Sequence, residues 1–140
     1  MTARFPVLII DDDPTIAEII NRAAATAFPE ASFMAVNHFD QAVTYLDNLE
    51  GRGPCLILLD VDLQEDRTGL DFLTLLRKHP QGRLIPVIML SAGADQPTID
   101  EAYFRGANAF TTKPFTLSEW KHYTTQLQQY WYQVVTMPQP

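Results

Sequence analysis

Five polar residues stand where apolar runs stop. Asp11 and Asp12 follow Phe5–Ile10 (FPVLII), Asp60 follows 55–59 (CLILL), Ser91 follows 85–90 (IPVIML), and Lys113 follows Ala109–Thr112. Three carboxylates gathered in one place repel one another, so they raise each other's pKa or hold a cation. Donors that are all oxygen suit Mg²⁺, which keeps several waters and takes few carboxylates. A carboxylate is also a nucleophile able to form an aspartyl phosphate. Phosphoryl transfer needs positioning and charge neutralisation above all. Mg²⁺ would bring two positive charges, Lys113 a third, and Ser91 a hydroxyl donor for a phosphoryl oxygen. An acid pair, a central aspartate, a hydroxyl and a lysine thus make up a phosphoryl-accepting site, provided the chain brings them together.

The elements that would do so are legible as an alternation. Short β-branched runs alternate with segments of helical period. After the run 5–10, Asp13-Pro14 opens a helix by capping and a first-turn proline, and Ile16, Ile19, Ile20, Ala23 and Ala27 follow at helical spacing until Pro29. The stretch 32–36 reads as a strand. Asn37 is the expected cap of a helix carrying Ala42, Val43, Leu46 and Leu49, stopped by Gly51 and Gly53. The run 55–59 is a strand, Gly69–Lys78 a helix with Leu70, Leu73 and Leu76 inward, 85–90 a strand, a segment opened by Asp95-Gln96-Pro97 a helix ending at Gly106, and Ala109–Thr112 a brief strand. One long closing helix, aromatic in character, is expected over 116–135, with 136–140 as a short tail. Runs apolar on both faces mean a parallel sheet covered on each side. Right-handed crossovers then give a doubly wound α/β sandwich of five β/α pairs, whose ligands bind beyond the carboxyl ends of the strands. The five polar residues lie at those ends.

Composition narrows the function classes. The chain has 140 residues, 46% hydrophobic and 19% charged, enough apolar material for one domain with a real core. No apolar run is long enough for a membrane-spanning helix, and the N-terminus lacks the apolar stretch and cleavage site of a signal peptide. A single cysteine, Cys55, forbids an internal disulfide, and the expected location is a reducing cytoplasm. Ten Lys+Arg against 17 Asp+Glu leave a net charge of −7, so direct nucleic-acid binding is not expected.

Taken in order, VLIIDDDP at 7–14, LILLD at 56–60, VIMLSA at 87–92, GANAF at 106–110 and TKPF at 112–115 resemble a response-regulator receiver domain through nearly the whole chain. The resemblance implies a flavodoxin-like (βα)5 fold with strand order 2-1-3-4-5. It implies Asp60 as phosphoacceptor, Asp12 as a direct Mg²⁺ ligand, Asp11 as a ligand mainly through water, and a backbone carbonyl at Asp62. Ser91 and Phe110 would be the switch pair, the ring following the hydroxyl inward. Lys113 would meet the phosphoryl oxygens, and the peptide before Pro114 is often cis in such domains. A histidine kinase or phosphotransfer protein would be the donor, and the domain would catalyse only its own phosphorylation and dephosphorylation.

Two departures from the family pattern stand out. The stretch Asp60-Val-Asp-Leu-Gln-Glu-Asp-Arg-Thr-Gly69 has Gln64 where a proline is usual, and one residue more before Gly69. It is also acidic, which puts its rigidity and the phosphorylation rate in question. Secondly, nothing after the closing helix reads as a linker or an output domain, so the expected output is phosphorylation-dependent binding of a downstream protein. The closing helix carries one apolar stripe for the sheet, Leu117, Trp120, Leu127, Trp131 and Val134, with Tyr123, Tyr130 and Tyr132 left over. The surplus either covers the domain or forms a homodimer interface. The tail from Tyr130 to Pro138 also resembles single-domain regulators of phytochrome-type kinases.

Two rival readings share these residues. Asp60-Val-Asp62 after a buried strand fits the Asp-x-Asp of haloacid-dehalogenase-like phosphatases, but there that motif precedes the other acids, and no length remains for a cap domain. A pseudo-receiver that only docks would keep the fold without the chemistry, and the altered loop is its support.

Overall fold

The interior strands are the runs apolar at every position, because both of their faces are covered. In the computed structural model, which describes residues 4–51 and 53–137, strands β1 (Phe5–Ile10), β2 (Ala31–Val36), β3 (Leu56–Asp60), β4 (Val87–Ser91) and β5 (Ala109–Thr112) pair in parallel in the order β2-β1-β3-β4-β5. Between them lie helices α1 (Ile16–Ala27), α2 (Phe39–Asp47), α3 (Gly69–Lys78) and α4 (Gln96–Phe104), and α5 (Leu117–Leu127) follows β5. The doubly wound sandwich is the one expected from the alternation, and its flavodoxin-like strand order is the one the resemblance implies. The edge strands β2 and β5 have half-buried or exposed positions, whereas β3 and β4 are buried throughout.

Alternation splits the core into two layers. Phe5, Val7 and Ile9 with Leu56, Leu58, Ile88 and Leu90 face α1 and α5, where Ile20, Ala23, Trp120 and Leu127 cover them. Leu8, Ile10, Ile57, Leu59, Val87 and Met89 face the other way, under Phe39, Leu46, Phe72, Leu73, Leu76 and Ala102. A one-residue slip in any central strand would exchange the two sets, so the register is held from both sides.

Several local expectations change. Asp13 does not cap α1 itself: its Oδ1 accepts the backbone N–H and the hydroxyl of Thr15, making a turn that precedes the helix. Asn37 does not cap α2, whose cap position is His38. Instead its side-chain amide donates to the Asp11 carbonyl at 3.1 Å. Pro86 lies before β4 rather than within it, as expected of a residue with no N–H to give the ladder. The Lys113–Pro114 peptide is trans, like every described peptide bond.

The closing segment is the largest correction. Thr116 caps α5, accepting the Glu119 N–H at 3.0 Å, while Glu119 accepts the Thr116 N–H at 3.1 Å. The α-helix stops at Leu127 and continues as a π-helical turn, Gln128–Tyr132, with Gln133 N–H to Gln128 O at 3.1 Å and Val135 N–H to Tyr130 O at 2.8 Å. The wider turn sets the helical phase back. Tyr132 therefore swings onto the core, its ring 5.9 Å from Phe5 and 5.8 Å from Phe28. Val134, which an unbroken helix would bury, is exposed. Tyr123 is also accounted for, its hydroxyl 2.8 Å from that of Thr111 on β5, and burial pushes its phenol up to about 12. Of the three surplus tyrosines only Tyr130 remains on the surface.

Candidate functional site

Each site residue is delivered by the end of a strand or the turn just after it. Asp11 leaves β1 and is wholly buried; Asp12 beside it is half-buried. Asp60 ends β3 and Ser91 ends β4, both buried, and Lys113 follows β5 with 16% of its side chain exposed. The parallel order β1-β3-β4-β5 lines up these ends, and the Lys113 N–H donates to the Ser91 carbonyl at 2.8 Å as a last rung of the ladder. The Lys113 ammonium lies 2.6 Å from Asp11 Oδ2 and 3.2 Å from Asp60 Oδ2. The wide separation in sequence is thus closed by the fold, and the residues expected to act together do meet.

The electrostatics are those of a crowded acid pocket with too few cations. Burial, then the charge of Asp11, pushes the Asp60 carboxyl up to about 6, against the smaller opposing pull of Lys113. Asp12 is raised as well, by burial first and then by Asp11. Desolvation pulls the Lys113 ammonium down, but the hydrogen bond and charge of Asp11, with those of Asp60, outweigh it and leave its pKa raised. Asp11 Oδ1 accepts the Asp13 N–H at 2.9 Å. Its Oδ2 is buried and paired with the Lys113 ammonium at 2.6 Å.

A divalent cation fits this set. Asp11, Asp12 and Asp60 each offer an oxygen, and these oxygens lie within 4.8 Å of one another. The donors are all oxygen and three carboxylates face a single ammonium, so the summed charge is negative, which suits Mg²⁺. The side chain of Asp62 stands apart from this trio. It is exposed, with its carboxylate taken by the backbone N–H and side-chain amide of Gln64 at 2.9 and 3.1 Å. Its own N–H donates to Asp60 Oδ1 at 3.0 Å, orienting the carboxylate.

Over the acids opens a pocket of about 420 Å³ lined by Asp12, Asp60, Asp62, Ser91, Lys113 and Thr98 among others. Ser91 Oγ accepts the Gly93 N–H at 3.1 Å, which leaves its proton free to be donated. Phe110 is half-buried and packs on the α2–α3 side of the core, while its neighbour Thr111 faces α5.

Three residues contribute to the site in ways that the sequence pattern does not show. Gly69 opens α3 directly against the acceptor: a Cβ there would lie 2.0 Å from the Asp60 carbonyl oxygen, so no other residue fits without moving the backbone of Asp60. The signal was a glycine at the start of a helix, where helix propensity gives no reason for one. Asn37 reaches the backbone of Asp11, and Glu65 accepts the Phe39 N–H at the start of α2 at 2.9 Å. Neither contact leaves a trace in local sequence pattern.

Comparison with known proteins agrees with this geometry. The family described as response regulator receiver domain matches residues 7–136. Among curated relatives, the transcriptional regulatory protein KdpE of Staphylococcus aureus is 33% identical over 113 residues, 81% of this chain and 45% of its own length. The DNA-binding transcriptional regulator NtrC of Escherichia coli is 30% identical over 117 residues, 81% of this chain and 22% of its own. The chain therefore spans less than half the length of these relatives. Among solved structures, a receiver domain from Rhodospirillum rubrum has 31% identity and a TM-score of 0.79, covering 95% of this chain and 96% of that one. The phosphorylated cyanobacterial phytochrome response regulator RcpA shares the fold at 24% identity, with a TM-score of 0.85 over 98% of this chain and all of its own.

Proposed function

The chain belongs to the response regulator receiver domain family, and from that premise we propose that Asp60 is its phosphoacceptor, served by Asp11, Asp12, Ser91 and Lys113. The observation that carries this reading is the convergence of Lys113 on both Asp11 and Asp60 at the mouth of a pocket that also holds Asp12 and Ser91. Bound Mg²⁺ would supply the positive charge that keeps these carboxylates ionised together and neutralises the phosphoryl oxygens. Asp11, Asp12, Asp60 and the backbone carbonyl of Asp62 would hold it. The Asp62 N–H fixes the carboxylate of Asp60 so that one oxygen faces the incoming phosphorus. That oxygen forms the new O–P bond as the P–N bond to the donor imidazole breaks, and the imidazole leaves with a proton. Lys113 pairs with a phosphoryl oxygen, and Ser91 donates its hydroxyl proton to another. The donor is a histidine kinase or phosphotransfer protein, and the likeness to RcpA favours a phytochrome-type kinase.

The added charge of about −2 then biases a two-state element. Ser91 turns towards the phosphoryl group, Phe110 moves further inward, and the face of α4, β5 and α5 changes for a downstream protein partner in the cytoplasm. Residues 1–140 act as a single receiver in this account. A homodimer through the closing segment is the second partner we propose: Tyr130 and Val134 are exposed there, beside an apolar groove of about 600 Å³ between α5, the π-turn and the edge strand β5. Tyr130→Ser with Val134→Ser should shift sedimentation from dimer to monomer, and a wild type that is monomeric at all concentrations removes the dimer.

The test of the function is incubation with acetyl phosphate and Mg²⁺. One phosphoryl group per chain is expected, absent in Asp60→Asn. Steady multiple turnover of a phosphate monoester would instead indicate the phosphatase chemistry that Asp60-Val-Asp62 also resembles, and no uptake at all would indicate a docking module.

A further inference from the structure

The turn between β2 and α2 touches both acid-bearing loops. On one side the Asn37 amide donates to the carbonyl of Asp11 at 3.1 Å, with a longer approach of 3.4 Å to that of Asp13. On the other side the Phe39 N–H, at the first position of α2, donates to Glu65 Oε2 at 2.9 Å. That helix has no side-chain cap of its own, so an orphan backbone donor is satisfied by a carboxylate from a different loop. Arg67 reinforces the same junction, its guanidinium carbon 4.7 Å from the centre of the Phe39 ring.

The consequence for the acceptor follows residue by residue. Glu65 belongs to the stretch that is one residue longer than usual and lacks the usual proline. The preceding residue, Gln64, sits at φ 57°, the left-handed region that a glutamine enters only when its surroundings hold it there. In that conformation its backbone and side-chain N–H groups both bind the Asp62 carboxylate, and the Asp62 N–H in turn binds Asp60 Oδ1. A loop without proline, strained at Gln64, needs an anchor beyond it, and the Glu65–Phe39 contact supplies one.

We propose that Glu65 is a positioning residue for phosphoryl transfer, fastening the acceptor loop to the start of α2 so that the Asp62 N–H stays on Asp60, with Asn37 fastening the opposite acid loop to the same turn. This rests on Asp60 being the acceptor. Glu65 touches neither phosphoryl donor nor acceptor, and it acts through the hydrogen bond that it accepts rather than through its charge.

Glu65→Ala and Glu65→Gln separate the two, because both remove the charge and only glutamine keeps an acceptor for the Phe39 N–H. The readouts are the rate of phosphoryl uptake from acetyl phosphate in Mg²⁺, the Mg²⁺ affinity by calorimetry, and hydrogen exchange at the Phe39 amide. In Glu65→Ala, uptake should slow about tenfold at saturating donor and Phe39 exchange should quicken. Glu65→Gln should stay within about twofold of wild type in uptake and keep the amide protected. Equal loss in both variants would make charge the cause and overturn the proposal, as would wild-type uptake in Glu65→Ala. If the wild type itself takes up no phosphoryl group, the acceptor assignment falls and this proposal with it, a result distinct from any difference among the variants.

Discussion

The two ends of the sheet treat buried charge in opposite ways. At the amino ends of β4 and β5, the half-buried guanidinium of Arg77 donates to the carbonyls of Gly106, Gly82 and Ile85 and to Asn108 Oδ1, at 2.7 to 3.0 Å. Asn108 also accepts the Val87 N–H at 2.8 Å, so the group that ends the network starts the next strand. Burial pulls this guanidinium below its ordinary pKa, yet an arginine stays charged and nearly every donor is used. At the carboxyl ends, three acids share one lysine, and Asp60 is raised to about 6. A buried charge with nearly all its hydrogen bonds made is structure. Buried acids that outnumber the cations beside them leave a net negative charge, which suits a divalent cation.

The contrast can be broken most forcefully at Arg77. Arg77→Met should leave several buried acceptors unpaired and cost about 3 kcal/mol in urea unfolding, while phosphoryl uptake at Asp60 stays near wild type. Loss of uptake in a folded Arg77→Met protein would mean that the two ends are not separable.

The acid end gives the next largest effect, and its sign is opposite to that of an ordinary ion pair. The folded pKa of Asp60 lies above its unfolded value of 3.8, so the folded state binds the extra proton between the two. Without divalent ions, stability should therefore rise as pH falls from 7 towards 5, by on the order of 2 kcal/mol at most from this group. Asp12 is shifted the same way. Asp13 and Asp71 are lowered and work in the opposite sense, but their stabilisation is lost only below about pH 4. Thermal melts in chelator should show the rise in wild type and a much flatter profile in Asp60→Asn. The variant should be at least as stable as wild type at pH 7, because it relieves repulsion. Added Mg²⁺ should stabilise wild type most at pH 7 and least at pH 5. A wild type that loses stability between pH 7 and 5 in chelator would contradict the crowding.

The smallest effect belongs to the link between the layers at Tyr123. Its hydroxyl meets Thr111, which also donates to the Met89 carbonyl at 3.3 Å. Tyr123→Phe should cost about 1 kcal/mol and leave phosphoryl uptake at the wild-type rate, as measured by urea titration and by uptake from acetyl phosphate.

How far the sequence alone reached follows the same division. Strands 7–10 and 56–59 announce themselves because a parallel strand buried on both faces has no polar position to blur it, and Asp11, Asp60 and Ser91 are conspicuous at the ends of such runs, whereas Lys113 follows a half-buried edge strand and stands out by its place in TKPF. Beyond Leu127 the sequence pattern misleads, because a 3.6-residue period assumes that every hydrogen bond spans four residues, and the π-turn spans five. That single change exchanged Tyr132 and Val134 between core and surface. Asn37 looked like a cap because asparagine usually is one; its amide goes instead to a backbone that is distant in sequence and near only in the fold. The Glu65 contact was equally invisible, since the donor it satisfies lies on another element.

The central claim is that the carboxylate at the end of β3 carries the phosphoryl group. Borohydride reduction after phosphorylation in Mg²⁺ converts an acyl phosphate at its own position, and peptide mass spectrometry then reads which residue was changed. The account predicts reduction at Asp60, with Asp11, Asp12 and Asp62 unmodified. Reduction at any of those three, with Asp60 intact, would contradict it.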